Sequence, residues 1–150
     1  MKILYIDYTL KYKSLDIYTA GCIGNPHCVG CHNPETWSFD QGDKYDENFF
    51  IKLKLYLKDF NSMIDNIMIF GGEPLDNKFI DVISLLKDIN TFDKKIWLFT
   101  RFEINDIPIE IQKLCDYIKT GRYDTKSGTN NIEYFGMKLS TSNQKIIKCR

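Results

Sequence analysis

The chain has 150 residues, of which 43% are apolar and 14% aromatic, and its 20 basic side chains are matched by 20 acidic ones. That length suits one hydrophobic core and one domain, 1–150, and the apolar content excludes a disordered, purely solvating segment. A balanced charge argues against a protein that binds nucleic acid by neutralising phosphates. No apolar run approaches the roughly 20 residues needed to cross a bilayer, and Asp7 interrupts the first apolar stretch too early for a signal peptide. A cytoplasmic protein, without membrane or nucleic-acid partners, is expected.

In chain order, Lys2–Ile6 and Leu15–Thr19 read as short strands, rich in Ile, Leu and Tyr and bounded by polar residues. A cysteine-bearing loop follows. Asp46–Phe60 carries Phe49, Leu53, Leu57 and Phe60 at helical steps, with Lys52, Lys54 and Lys58 pointing elsewhere. Ile64–Phe70 is a strand ended by Gly71-Gly72, and Asn77–Ile89 a helix with Ile80, Ile83 and Leu86 on one face. Ile96–Thr100 is the next strand, Ile109–Leu114 a short helix, and Tyr117–Lys119 a strand ended by Gly121. The tail segments Ile132–Met137 and Lys145–Lys148 read as additional strands.

This alternation predicts an α/β fold with a mostly parallel sheet and right-handed crossovers. The chain is too short for a closed eight-fold barrel of about 250 residues, so a partial, open βα barrel is expected. In such sheets ligands gather at the carboxyl ends of the parallel strands. Three groups of unusual residues follow three strands: the cysteines after the Leu15 strand, Gly71-Gly72-Glu73 after the Ile64 strand, and Thr100-Arg101 at the end of the Ile96 strand. All three are therefore expected at one edge of the sheet.

Five cysteines are present, and Cys22, Cys28 and Cys31 lie within ten residues. In a cytosolic chain such crowding points to metal ligation or redox chemistry rather than to a disulfide framework. Cys115, in an apolar stretch, reads as a buried structural thiol, and Cys149 as a bystander near the terminus. Gly21, Gly24 and Gly30 let the loop curl around a soft-metal site. Two metals suit it. A structural zinc would take His27 or His32 as fourth ligand. A [4Fe–4S] cluster, normally held by four cysteines, would keep one iron open if held by three.

The combination of Cys22, Cys28 and Cys31 with Gly71-Gly72-Glu73-Pro74 resembles the radical S-adenosylmethionine superfamily. Within it, Cys31-His32-Asn33-Pro34-Glu35-Thr36-Trp37, Trp97-Leu98-Phe99-Thr100, Asp116–Arg122 and Ser142–Ile147 make the chain similar to the activating enzymes of anaerobic ribonucleotide reductases. The family pattern has three residues between the first two cysteines. Five stand between Cys22 and Cys28 here, with Pro26 stiffening the longer turn.

The resemblance implies that Cys22, Cys28 and Cys31 hold a [4Fe–4S] cluster whose open iron chelates S-adenosylmethionine. Reductive cleavage of the sulfonium would then yield methionine and a 5′-deoxyadenosyl radical. That radical would take a hydrogen from a glycine of the reductase large subunit. It further implies that Gly71 and Gly72 approach the methionine moiety, that Glu73 receives its ammonium or buttresses the turn, and that Gly30 and His32, flanking the last cysteine, lie where family members contact the adenine largely through backbone. Thr100 would bond the ribose or carboxylate, Arg101 and Arg122 would meet a carboxylate, and a low-potential electron donor would be required. The alternatives are a radical enzyme acting on another glycyl-radical enzyme, a peptide or a nucleotide, and a non-enzymatic zinc-binding adaptor.

Overall fold

The computed structural model describes residues 1–129 and 131–150. The first strand, β1 (Lys2–Thr9), runs past its expected end and turns back through a single helical turn, Leu10–Tyr12, into β2 (Ser14–Thr19). Nothing in that turn is glycine or proline. Lys13 supplies the left-handed residue instead, at φ 44°, and its amide donates to Leu10 O at 3.2 Å. The two strands pair antiparallel, Tyr5 opposite Tyr18 and Asp7 opposite Asp16.

After the cysteine loop comes the two-residue strand β3 (Asp43–Lys44), paired with β1. Helix α1 (Glu47–Asp59) begins where Asp46 accepts the amide of Phe49 at 3.1 Å, satisfying one orphan donor of the first turn. Leu53 and Leu57 are its buried residues, whereas Phe60, expected on that face, is 42% exposed beyond the helix end.

Strand β4 (Asn66–Gly71) leads into α2 (Phe79–Ile89), β5 (Lys95–Phe99), α3 (Ile109–Leu114) and β6 (Tyr117–Thr120). The buried stripe of α2 is Val82, Ile83, Leu85, Leu86 and Ile89, while Ile80 is exposed. The apolar arc is wider than one stripe, and packing centres it one step further round.

Among the described residues the main sheet has the order β3-β1-β2-β4-β5-β6-β9, with β9 at Lys145–Lys148. Pairings β2–β4, β4–β5 and β5–β6 are parallel, and the flanking pairs are antiparallel. The sheet is therefore mixed, parallel at its centre and open. The expected strand at Ile132–Met137 is instead a tight hairpin, β7 (Glu133–Tyr134) and β8 (Met137–Lys138), outside the main sheet. Phe135 and Gly136 both have positive φ, 50° and 83°, the geometry of a two-residue hairpin loop.

Alternation along the parallel strands sorts side chains onto two faces. Leu15, Ile17, Ile67, Ile69, Ile96, Leu98 and Ile118 face the helices and are fully buried with Leu53, Leu57, Val82, Leu85 and Leu86. The other face carries Met68, Trp97 and Tyr117, which pack with Met137, Leu139 and Ile146 from the tail. The strand ends leave this second face partly open.

Candidate active site

At the carboxyl ends of β2, β4, β5 and β6 lies a cavity of about 390 Å³, within the usual range of small-molecule sites of about 300–1,000 Å³. Its wall contains Cys22, Cys28 and Cys31 together with His32, Gly71, Gly72, Glu73, Thr100 and Arg101. The three segments that strand order alone pointed to one edge do converge. Gly30 is not part of the wall. It shapes the turn between the last two cysteines at φ 72°, where the Cys31 amide donates to Cys28 O at 3.1 Å. A second, larger hollow of about 950 Å³ lies by Asn66, Lys95 and Tyr117, at the amino ends of the strands, and contains no cysteine.

The cysteine loop is sewn to its surroundings through backbone. Gly21 N donates to Thr36 O at 2.7 Å, Cys22 N to Trp37 O at 3.0 Å, and Glu73 N to Gly21 O at 2.7 Å. A Cβ on Gly72 would collide with Gly21 O, and one on Gly71, at φ 118°, with Thr19 O. These two glycines are therefore required by the close approach of β4 to the chain leaving β2.

The longer stretch between Cys22 and Cys28 is pinned in three places. Ile23 N donates to Asp76 Oδ2 at 2.6 Å. The His27 ring stacks on Trp37 at 3.9 Å and bonds Cys22 O at 3.0 Å through Nε2. Arg122 donates to Pro26 O. His27 and Arg122 are thus occupied in holding the loop, and neither lines the cavity. His32 does, its ring 5.0 Å from that of Tyr123.

Glu73 is a buried hub, 2% exposed. Its Oε1 accepts from Leu75 N at 3.0 Å and Thr100 Oγ1 at 2.6 Å, and its Oε2 from Arg101 N at 2.6 Å. Burial raises its pKa, against the lowering effect of these donors. Of the two roles expected for Glu73, buttressing is the one its bonds express. Thr100 is committed likewise, since its hydroxyl also accepts from Phe102 N at 3.1 Å. Arg101 continues the network through Asp76, at 2.7 Å. One carboxylate, Asp76, therefore joins the Cys22 loop to the end of β5. Burial also raises the Cys22 thiol pKa, against the lowering effects of the Gly24 backbone hydrogen bond and, less, of the Arg101 charge.

The sequence reading did not single out Tyr18, Phe70, Phe99, Lys119 or Tyr123, all of which line the cavity. Tyr18, Phe70, Phe99 and Lys119 are the last second-face positions of four parallel strands. Strand alternation held the signal, once the faces were known.

A mixed α/β sheet with a cysteine loop and a Gly-Gly-Glu turn around one cavity defines a cluster-binding domain of the radical S-adenosylmethionine type. Residues 13–147 match the model of the 4Fe-4S single cluster domain, and the chain belongs to that family. Similar proteins include the anaerobic ribonucleoside-triphosphate reductase-activating protein of Vibrio cholerae, 27% identical over 126 residues and 80% of each chain. The protein of that name from Pasteurella multocida is 27% identical over 128 residues, again 80% of each chain. Its namesake from Escherichia coli K12 is 24% identical over 105 residues, 68% of this chain and 67% of its own.

The donor set fits the family's group. Thiolates are soft ligands suited to iron–sulfur clusters, and all three cysteines are unbridged and partly accessible. Among the described residues, no three His, Cys, Asp or Glu side chains gather around a single ion-sized point. The thiols stand instead around a hollow shared with the Gly71–Glu73 turn. No helix among the described residues is long and apolar enough to cross a membrane.

Proposed function

We propose that Cys22, Cys28 and Cys31 hold a [4Fe–4S] cluster, that S-adenosylmethionine binds beside it, and that the protein activates an anaerobic ribonucleotide reductase. The observation that carries this reading is the meeting of three thiols with the Gly71–Gly72–Glu73 strand end around one cavity. The similar proteins are named as activators of anaerobic ribonucleoside-triphosphate reductase, and that reductase is the partner assigned to this chain. Held by Cys22, Cys28 and Cys31 and reduced by a low-potential donor, such a cluster would supply the electron for reductive cleavage of the sulfonium.

The chain's own residues orient the reactants and keep out water. Gly71 and Gly72 let the end of β4 pack directly on the chain leaving β2, which sets this wall of the cavity beside the cysteine loop. Glu73 fixes that wall by gripping Thr100 and the Arg101 amide, so the ends of β4 and β5 hold one geometry. Preorganisation of this kind turns electron transfer into an effectively unimolecular event. Tyr18, Phe70 and Phe99 give the cavity its apolar side. His32, which lines the cavity beside Tyr123 and follows the turn shaped by Gly30, is assigned to the adenine end of the ligand.

The test is anaerobic incubation of cluster-loaded protein with a strong one-electron reductant, S-adenosylmethionine and an anaerobic ribonucleotide reductase. Formation of 5′-deoxyadenosine and a glycyl doublet in electron paramagnetic resonance are expected. Cys28→Ala should lose iron, sulfide and both products. A full cluster that yields no 5′-deoxyadenosine would refute the enzyme, and cleavage without a glycyl signal would refute the partner.

A further inference from the structure

We infer that His27 is the positioning residue that keeps Cys22 in place as a cluster ligand. Stacked on Trp37, it clasps the Cys22 carbonyl and so compensates for a turn longer than the family pattern. This rests on the function proposed above and gives a role to a side chain in the stretch where the chain departs from that pattern.

The three thiols are held in unlike ways. Cys28 and Cys31 share one turn, closed by the Cys31 amide on Cys28 O at 3.1 Å, so their spacing is set locally. Cys22 stands apart, with Ile23, Gly24, Asn25, Pro26 and His27 between it and the pair. Ile23, Asn25 and Pro26 are exposed, and burial of their side chains does not fix the course of that stretch. Every residue added to a turn raises the entropy lost in ordering it. A ligand at the end of such a turn therefore needs contacts that reach it from elsewhere.

Those contacts converge on the backbone of Cys22. Its N–H donates to Trp37 O at 3.0 Å. Its carbonyl accepts from His27 Nε2 at 3.0 Å, and because a carbonyl can only accept, the ring carries a proton on that nitrogen. The His27 ring lies on that of Trp37, with centroids 3.9 Å apart and planes 9° from parallel. One stacked pair therefore takes both backbone polar groups of Cys22, Trp37 through its carbonyl and His27 through its ring. Asp76 secures the next residue, at Ile23 N, 2.6 Å away, and leaves the Cys22 carbonyl to His27.

With Nε2 engaged in this way, His27 acts through Cys22 rather than on a metal. Trp37 lines the cavity and His27 does not, so the clasp steadies the thiol without occupying the space the cluster needs. An apolar side chain at 27 would leave the Cys22 carbonyl without its donor, and the sulfur would move with the loosened backbone. Partners that orient a metal ligand in this manner typically govern metal affinity by about 10- to 100-fold.

The experiment follows the anaerobic release of iron to a chelator from cluster-loaded parent protein and three variants. His27→Phe keeps the stack and removes the donor, His27→Gln keeps a donor and removes the ring, and His27→Ala removes both. Release should be about tenfold or more faster from His27→Ala and His27→Phe, with most of the loss recovered in His27→Gln. The electron paramagnetic resonance spectrum of the reduced cluster should change in the same order. Urea midpoints of the cluster-free proteins should stay together, which separates a loosened ligand from a loosened fold. Unchanged release from His27→Ala overturns this inference alone. So does release from His27→Gln as fast as from His27→Phe, or a fall in the urea midpoint that accounts for the faster release. A parent protein that takes up no [4Fe–4S] cluster overturns it together with the proposed function.

Discussion

The two faces of the sheet are built from the same strands and differ at every alternate residue. Toward the helices, Leu15, Ile17, Ile67, Ile69, Ile96, Leu98 and Ile118 are aliphatic and show no solvent exposure. On the opposite face the partners in the alternation are Asp16, Tyr18, Met68, Phe70, Trp97, Phe99, Tyr117 and Lys119. Branched aliphatics interlock with helices at crystal-like density. Flat rings and ionisable groups stack without filling space, and they leave a hollow at the strand ends. One face secures the fold so that the other can stay open.

This contrast can be broken by experiment. Ile67→Ala should cost about 3 kcal/mol in denaturant unfolding, because a fully buried side chain leaves a cavity that rigid neighbours cannot fill. A loss below about 1 kcal/mol would mean the helix face is not the source of stability.

Lys119 sharpens the comparison through pH. In the cluster-free protein its folded pKa, about 8, lies below the value of 10.5 expected for a free lysine. The unfolded chain therefore binds the proton more tightly, and stability contributed by this group rises from about pH 8 to pH 10.5, by up to about 3 kcal/mol. Lys119→Met should remove that rise and be the more stable protein at neutral pH. Urea midpoints of variant and parent at pH 7 and 9.5 measure the difference. The comparison between the two proteins isolates Lys119 from Cys115, whose buried thiol, with its raised pKa, acts in the opposite sense at alkaline pH.

The smallest effect is expected among the aromatic rings of the second face. Tyr18→Leu should change stability by less than about 1 kcal/mol, since the ring lies against Tyr5 and Phe70 at the cavity wall rather than inside a packed layer. A cost as large as that of Ile67→Ala in the same assay would erase the distinction between the faces.

Much of this organisation was legible in the residues. The strand–helix succession from Asn66 to Thr120 follows from apolar periodicity, and the meeting of the cysteines with Gly71–Glu73 and Thr100 follows from strand order. What escaped depends on contacts between distant segments. The antiparallel return of β1 into β2 hinges on Lys13 in a left-handed conformation that no turn signature announces. The tail hairpin at Phe135–Gly136 interrupts a stretch whose composition alone reads as a single strand. Lys119 and Asp76 look like ordinary surface charges until the register and the loop position are known.

Asp76 has a mechanical consequence. Its two oxygens grip Ile23 N, next to Cys22, and the Arg101 guanidinium at the end of β5. Two borders of the hollow are thereby fastened to a single carboxylate, so that its removal would untie the Cys22 side and the Arg101 side together.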